Sequence, residues 1–104
     1  MGASKTKPFS ASQKSFARIA KAVGHPARVA ILQHLTKEDA VSNKALTTVT
    51  HLSETTVHQH LRELASAGLI GGFFYGKQHY YRILPEAYGY IENLKKVVGI
   101  DEVE

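Results

Sequence analysis

Ser53-Glu-Thr-Thr-Val-His-Gln-His-Leu-Arg-Glu-Leu-Ala-Ser66 sorts onto two faces of one short helix. Val57, Leu61 and Leu64 recur at i, i+4 and i+7, which places them on a single apolar side. Thr55, His58, Gln59 and Arg62 recur at i, i+3, i+4 and i+7 on the opposite side. An ordinary solvated face mixes Glu with Lys. This one carries short or planar hydrogen-bonding groups and a guanidinium, the chemistry that suits base edges and phosphates in a major groove. Ser53 stands where an N-cap belongs, so the positive end of the helix dipole is presented at an exposed first turn. A polar surface helix has the same outline, and the flanking sequence decides between the two.

Upstream, Ser42-Asn-Lys-Ala-Leu-Thr-Thr-Val-Thr50 reads as another short helix, capped by Ser42 and turning Leu46 and Val49 inward. His51-Leu52-Ser53 joins the two helices with about the three or four residues of a helix-turn-helix connection. The first turn residue has to enter the left-handed region, where His is among the enriched non-glycine residues. Leu52 is then placed to plug the space between the helices. Downstream, Ala67-Gly68-Leu69-Ile70 ends the reading helix with a glycine stop. Ile70-Gly-Gly-Phe-Phe-Tyr75 and Gln78-His-Tyr-Tyr-Arg-Ile-Leu84, separated by Gly76-Lys77, read as a β-hairpin. The order is helix, turn, reading helix, hairpin: a mainly α chain with a small β-hairpin wing, the winged helix-turn-helix.

Three stretches carry a resemblance to a known family. Ala20-Lys-Ala-Val-Gly-His-Pro-Ala-Arg-Val-Ala-Ile-Leu-Gln-His-Leu35 resembles the opening signature of arsenical-resistance-repressor (ArsR) type bacterial regulators. Leu52 to Ile70 is similar to their recognition helix and its exit, and Tyr80-Tyr81-Arg82 resembles the return strand of their wing. The match runs from about Phe16 to Leu84. The resemblance implies a small homodimer in which each subunit lays its recognition helix in a major groove of double-stranded operator DNA. On this reading Thr55, His58 and Gln59 contact base edges, and Ser53 and Thr56 lie near the backbone. Lys44, Arg62, Lys77 and Arg82 supply phosphate contacts. Glu54 departs from the ideal, since phosphates repel a carboxylate unless it accepts from a cytosine amine.

Four helices precede the hairpin and one follows it. Ser10-Ala-Ser-Gln13 reads as a capping box, and the helix behind it places Phe16, Ile19, Ala20 and Val23 on one side before Gly24 stops it. Pro26 suits the first turn of the next helix, whose Ile31, Leu32 and Leu35 supply core. Lys37-Glu-Asp-Ala40 reads as a solvated loop. Pro85 opens a last helix with Ala87, Ile91, Leu94 and Val98 on one face. The winged-helix domain is expected over residues 9–99, with a flexible tail at 1–8 and another at 100–104. Both terminal helices carry apolar stripes that either close the monomer core or pair with their symmetry mates. The resemblance favours the second account, making Phe16, Ile19, Ala20, Ala87, Ile91, Leu94 and Val98 the dimer interface.

Composition agrees with this reading and removes others. The chain has 104 residues, of which 43% are apolar, enough for one domain with a modest core. A net charge of +4 suits a polyanionic partner. The absence of cysteine excludes disulfides, thiolate metal sites and cysteine nucleophiles. No apolar run approaches the roughly 20 residues of a membrane span and no signal-peptide core is visible, so a cytoplasmic location is expected. His58 and His60 lie two apart, on different sides of a helix, and residues 85–104 hold no histidine; no metal or cofactor site is expected. His60 is expected to pack half-buried and donate to a backbone carbonyl. There is no phosphate loop, nucleophile elbow or paired carboxylate in an apolar setting, which argues against an enzyme. In the wing, Gly71-Gly72-Phe73-Phe74-Tyr75 stands where the family commonly shows basic residues, and alternation predicts that one of Phe73 and Phe74 is buried. The rival class is a protein-interaction module that uses this aromatic wing, against which the basic reading face argues.

Overall fold

Serine and histidine side chains set where the helices begin. In the computed structural model, which describes residues 8–98, Ser10 starts α1 (Ala11–Ala22) with both halves of a capping box. Its hydroxyl accepts from the Gln13 amide at 3.1 Å, and its own amide donates to Gln13 Oε1 at 2.8 Å. His25 starts α2 (Pro26–Lys37): Nδ1 accepts from the Ala27 amide at 3.1 Å, and Pro26 occupies the first turn. Ser42 caps α3 (Asn43–Thr50) and Ser53 caps α4 (Glu54–Ser66), each accepting an orphan amide three residues on.

The core forms where these helices cross. Ile31 and Leu35 of α2, Leu46 of α3, and Val57, Leu61 and Leu64 of α4 are all buried against Leu69, Ile70 and Ile83. Leu52, in the turn, packs partly buried on this cluster.

The wing contains one strand more than expected. Besides β2 (Ile70–Tyr75) and β3 (Gln78–Ile83), a two-residue β1 (Val41–Ser42) pairs antiparallel with β3, giving the order β1-β3-β2. Two residues are too few to show a period in sequence, yet the pairing seats Val41 opposite the buried Tyr81 and covers one edge of a hairpin that is marginal alone. The β2–β3 register matches Ile70 with Ile83, Phe73 with Tyr80 and Phe74 with His79. Gly76, at φ 65°, opens the two-residue turn, as a type II′ hairpin requires. Phe73 is 38% and Phe74 71% exposed, so alternation across the strand does not bury either ring. The hairpin simply runs past the end of the core.

The chain closes with a 3-10 turn over Pro85–Ala87, and only then α5 (Tyr88–Val98), in place of the single helix expected from Pro85. Here the two accounts of the terminal stripes divide. Ala87 and Ile91, expected at an inter-subunit face, are closed into the chain's own core at 0% and 3% exposure. On α1 only Ala22 is buried, while Phe16 and Ala20 are exposed and Ile19 is half-buried. Leu94 is half-buried, and the side chain of Val98 lies outside the described residues. The Cα radius of gyration, 15.4 Å, exceeds the roughly 13 Å of a compact chain this long, in keeping with a first helix largely uncovered by its own chain. The expected tails, Pro8 apart, fall outside the described residues. None of the described helices is long and apolar enough to cross a membrane.

Candidate nucleic-acid interface

Burial along α4 separates its two faces. Val57, Leu61 and Leu64 are buried, and so is His60, whereas Thr55, His58, Gln59 and Arg62 are exposed. The turn that delivers this helix has His51 at φ 61° and ψ 28°, in the left-handed region, with its amide donating to Thr47. At the other end of the turn, the Ser53 hydroxyl donates to Thr56 Oγ1 at 3.0 Å while accepting from the Thr56 amide. Ser53 and Thr56 therefore lock the first turn of α4. The remaining orphan amides at that end favour an anion in front of it.

Thr55, His58, Gln59 and Arg62 line one open concavity, which they share with Glu54, Glu63 and Asn43 at the start of α3. Asn43 was not singled out by the sequence: following a capping serine, it reads as ordinary first-turn polarity. Its Oδ1 is buried with no hydrogen-bond partner among the described residues. Lys44, Lys77 and Arg82 are exposed but stand outside the concavity, on α3, in the wing turn and on β3. The Arg82 guanidinium lies 5.5 Å from the centre of the Phe73 ring, a cation–π contact that steers it along the outer face of the wing.

The inner side of α4 is tied to α2 through charge and rings. Arg28 Nε donates to His60 Nδ1 at 3.0 Å, and Arg28 also reaches the Ala22 carbonyl at 3.3 Å. The His25 and His60 rings lie 4.5 Å apart. His60 thus accepts from a guanidinium, where a donation to a backbone carbonyl had been expected. An accepting Nδ1 requires the neutral ring with its proton on Nε2. Burial, first, and then the charges of His25 and Arg28 hold the His60 pKa below its usual 6.5. Among the described residues, no group of three or more metal-ligating side chains is close enough to hold an ion.

A model of winged helix-turn-helix DNA-binding domains matches residues 26–70, from the start of α2 to the first residue of β2. The chain is 31% identical to the homodimeric winged helix-turn-helix DNA-binding domain of Mb0332 from Mycobacterium bovis, a possible ArsR-family transcriptional regulator. That similarity covers 99% of this chain and 93% of the other, at a TM-score of 0.76. The transcriptional repressor PagR of Bacillus anthracis is 28% identical, over 80% of this chain and 95% of its own, at a TM-score of 0.67. HlyU from Vibrio cholerae shares the fold at 23% identity and a TM-score of 0.75, over 86% of this chain and 97% of its own. No curated protein sequence matches the chain.

Proposed function

Because this chain belongs to the ArsR-type winged helix-turn-helix family of DNA-binding transcriptional regulators, we propose that it acts as a homodimeric repressor that occludes promoter DNA. The observation that carries the reading is the division of α4: a fully packed inner face that fixes the helix, and an outer face of planar and short polar groups in one concavity. In this reading His58 and Gln59 hydrogen-bond base edges, with Thr55 beside them and Arg62 on a phosphate. Lys44, Lys77 and Arg82 add phosphate contacts around the concavity, and Ser53 and Thr56 present the first turn of α4 to the backbone.

The dimer is supported by the open groove between α1 and α5, lined by Phe16, Ile19, Ala20, Tyr90 and Leu94, and by the homodimeric state of the Mb0332 domain. Two reading helices held together span half-sites about one DNA turn apart. Repression is supported by the similarity to PagR. Selection of binding sites from random duplex DNA with the purified chain tests the reading. A palindromic site with half-sites near one helical turn apart is expected, together with binding that weakens steeply with salt. Selection of no sequence over random duplex would overturn it.

A further inference from the structure

A cavity enclosed by the end of α1, α2 and α5 has no part in DNA reading. Its volume is about 180 Å3 and its wall is almost wholly carbon. Leu32 and Ile91 line it as core residues, 6% and 3% exposed, and the half-buried Val23, Val29 and Leu94 complete the apolar wall. Thr36 lines it too, but its hydroxyl donates to the Gln33 carbonyl at 2.7 Å and is satisfied on its own helix. An apolar cavity of about 150 Å3 stays dry and takes up a benzene ring. This one therefore has room for a single ring or a short branched chain. Lys95 is the charged residue among those described that line it, and its side chain is only 17% exposed. Its ammonium lies 3.5 Å from Glu92 Oε2, on a carboxylate 53% exposed. That is longer than the roughly 2.7–2.9 Å of a charge-assisted hydrogen bond, and a pair so open to water contributes little. The ammonium can exchange Glu92 for a carboxylate presented from the cavity.

We propose that this cavity is an effector site for a small monocarboxylic acid with one aromatic ring or a short branched alkyl body. The apolar body sits between α2 and α5, and the carboxylate accepts from Lys95 Nζ. Few precisely placed polar groups in an apolar pocket are what orient a small ligand, and here Lys95 fills that role. Leu94 gives the site an outlet, because it also lines the groove between α1 and α5. Closing over a bound ring draws Leu94 out of that groove, so the acid favours the monomer and weakens operator binding. This second step rests on the dimeric DNA-binding reading above, whereas the site itself does not.

The test titrates the full chain with benzoate, with its neutral isostere benzamide, and with anthracene-9-carboxylate, whose three fused rings exceed the cavity. Methyl NMR signals of Val29, Leu32, Ile91 and Leu94 are expected to move saturably with benzoate, several-fold less readily with benzamide, and not with the larger acid. Val29→Phe fills the cavity and is expected to abolish the response. Lys95→Met keeps the apolar stem without the ammonium, and is expected to bind benzoate no better than benzamide. These signals are read without DNA, so a failure of the operator-binding reading leaves them intact. Sedimentation and titration of the selected duplex then follow the second step: benzoate should favour monomer and lower operator affinity several-fold, and do neither with Val29→Phe. Methyl signals that ignore benzoate overturn the site. So do signals that move only with chain concentration, in which case a second copy fills the cavity. Equal binding of benzoate and benzamide by the wild type overturns the role of Lys95, and benzoate binding with an unaltered dimer overturns the coupling through Leu94.

Discussion

Gln59, His58 and Arg62 share one face of α4 but have different work in the proposed complex. A bidentate side-chain contact to a base is worth about 1–3 kcal/mol of discrimination. Gln59→Ala and His58→Ala are therefore expected to lower affinity for the selected site while leaving binding to random duplex unchanged. Arg62→Ala is expected to weaken both and to flatten the dependence on salt. Competition titrations at two salt concentrations distinguish these outcomes, and unaltered specificity in the first two variants would show the face to be misassigned. His60, on the inner side, makes a pH-dependent contribution to stability. Its folded pKa lies below the usual 6.5, so the unfolded chain takes up a proton first as the pH falls. The stabilisation is complete above about pH 6.5 and declines below it, until the folded pKa is also passed. Glutamine at this position can still accept from Arg28 but has no proton to gain. Urea midpoints measured from about pH 8 to pH 5 should fall less steeply for His60→Gln than for the wild type, and parallel slopes would contradict the assignment.

Among the elements, the turn and the wing depend on single backbone positions. His51 holds the left-handed conformation between α3 and α4, which costs a side-chain-bearing residue about 1–2 kcal/mol. Glycine would relieve that strain but add about 0.5–1 kcal/mol of unfolded-state entropy. His51→Gly is accordingly expected to leave stability unchanged or raise it by up to about 1.5 kcal/mol, whereas His51→Val is expected to lower it. Equal urea midpoints for the glycine and valine variants would refute this account of the turn. In the wing, a Cβ at Gly72 would lie 2.7 Å from His79 Nε2 and 3.0 Å from Tyr81 Cε2. Neither group can readily give way, because His79 is stacked by Phe74 and bonded to the Tyr81 hydroxyl at 3.2 Å. Gly72→Ala should therefore cost about 1–3 kcal/mol by overpacking, read from the same denaturation curves. An alanine variant as stable as the wild type would mean that the His79 ring moves freely.

For the whole molecule, the distribution of apolar surface identifies where association can be probed. Phe16 is 73% exposed on α1, and Leu94 shares its groove. Ile91 is buried in the chain's own core, so a charge there would report on folding rather than assembly. Phe16→Glu and Leu94→Glu are expected to shift a dimer toward folded monomer by burying an unpaired ion at the interface. Tight operator binding should go with it, because the second half-site no longer binds intramolecularly. Sedimentation, circular dichroism and a DNA titration on the same samples check all three statements. A folded Phe16→Glu chain that remains dimeric and binds normally would remove α1 from the proposed interface.

Whatever is settled within a few residues could be read from the chain alone. The Ser10–Gln13 box, the caps at Ser42 and Ser53, the left-handed His51, the Gly76 turn and the two faces of α4 each depend on spacings of a turn or less. Hydrogen-bond reach and helical period make such signals legible without a partner. Features that depend on distant segments emerged only in the folded chain. Val41 pairs with Tyr81 from the far side of α3, α4 and β2 in the chain, and Arg28 meets His60 only because α2 crosses α4. Alternation told which side of the wing each ring faces, but not where the core ends, and so both Phe73 and Phe74 emerge exposed. The same limit applied to α5. Its spacing placed Ile91 and Leu94 on one stripe, and the helix's seat against the rest of the chain determined that Ile91 belongs to the core while Leu94 borders the surface.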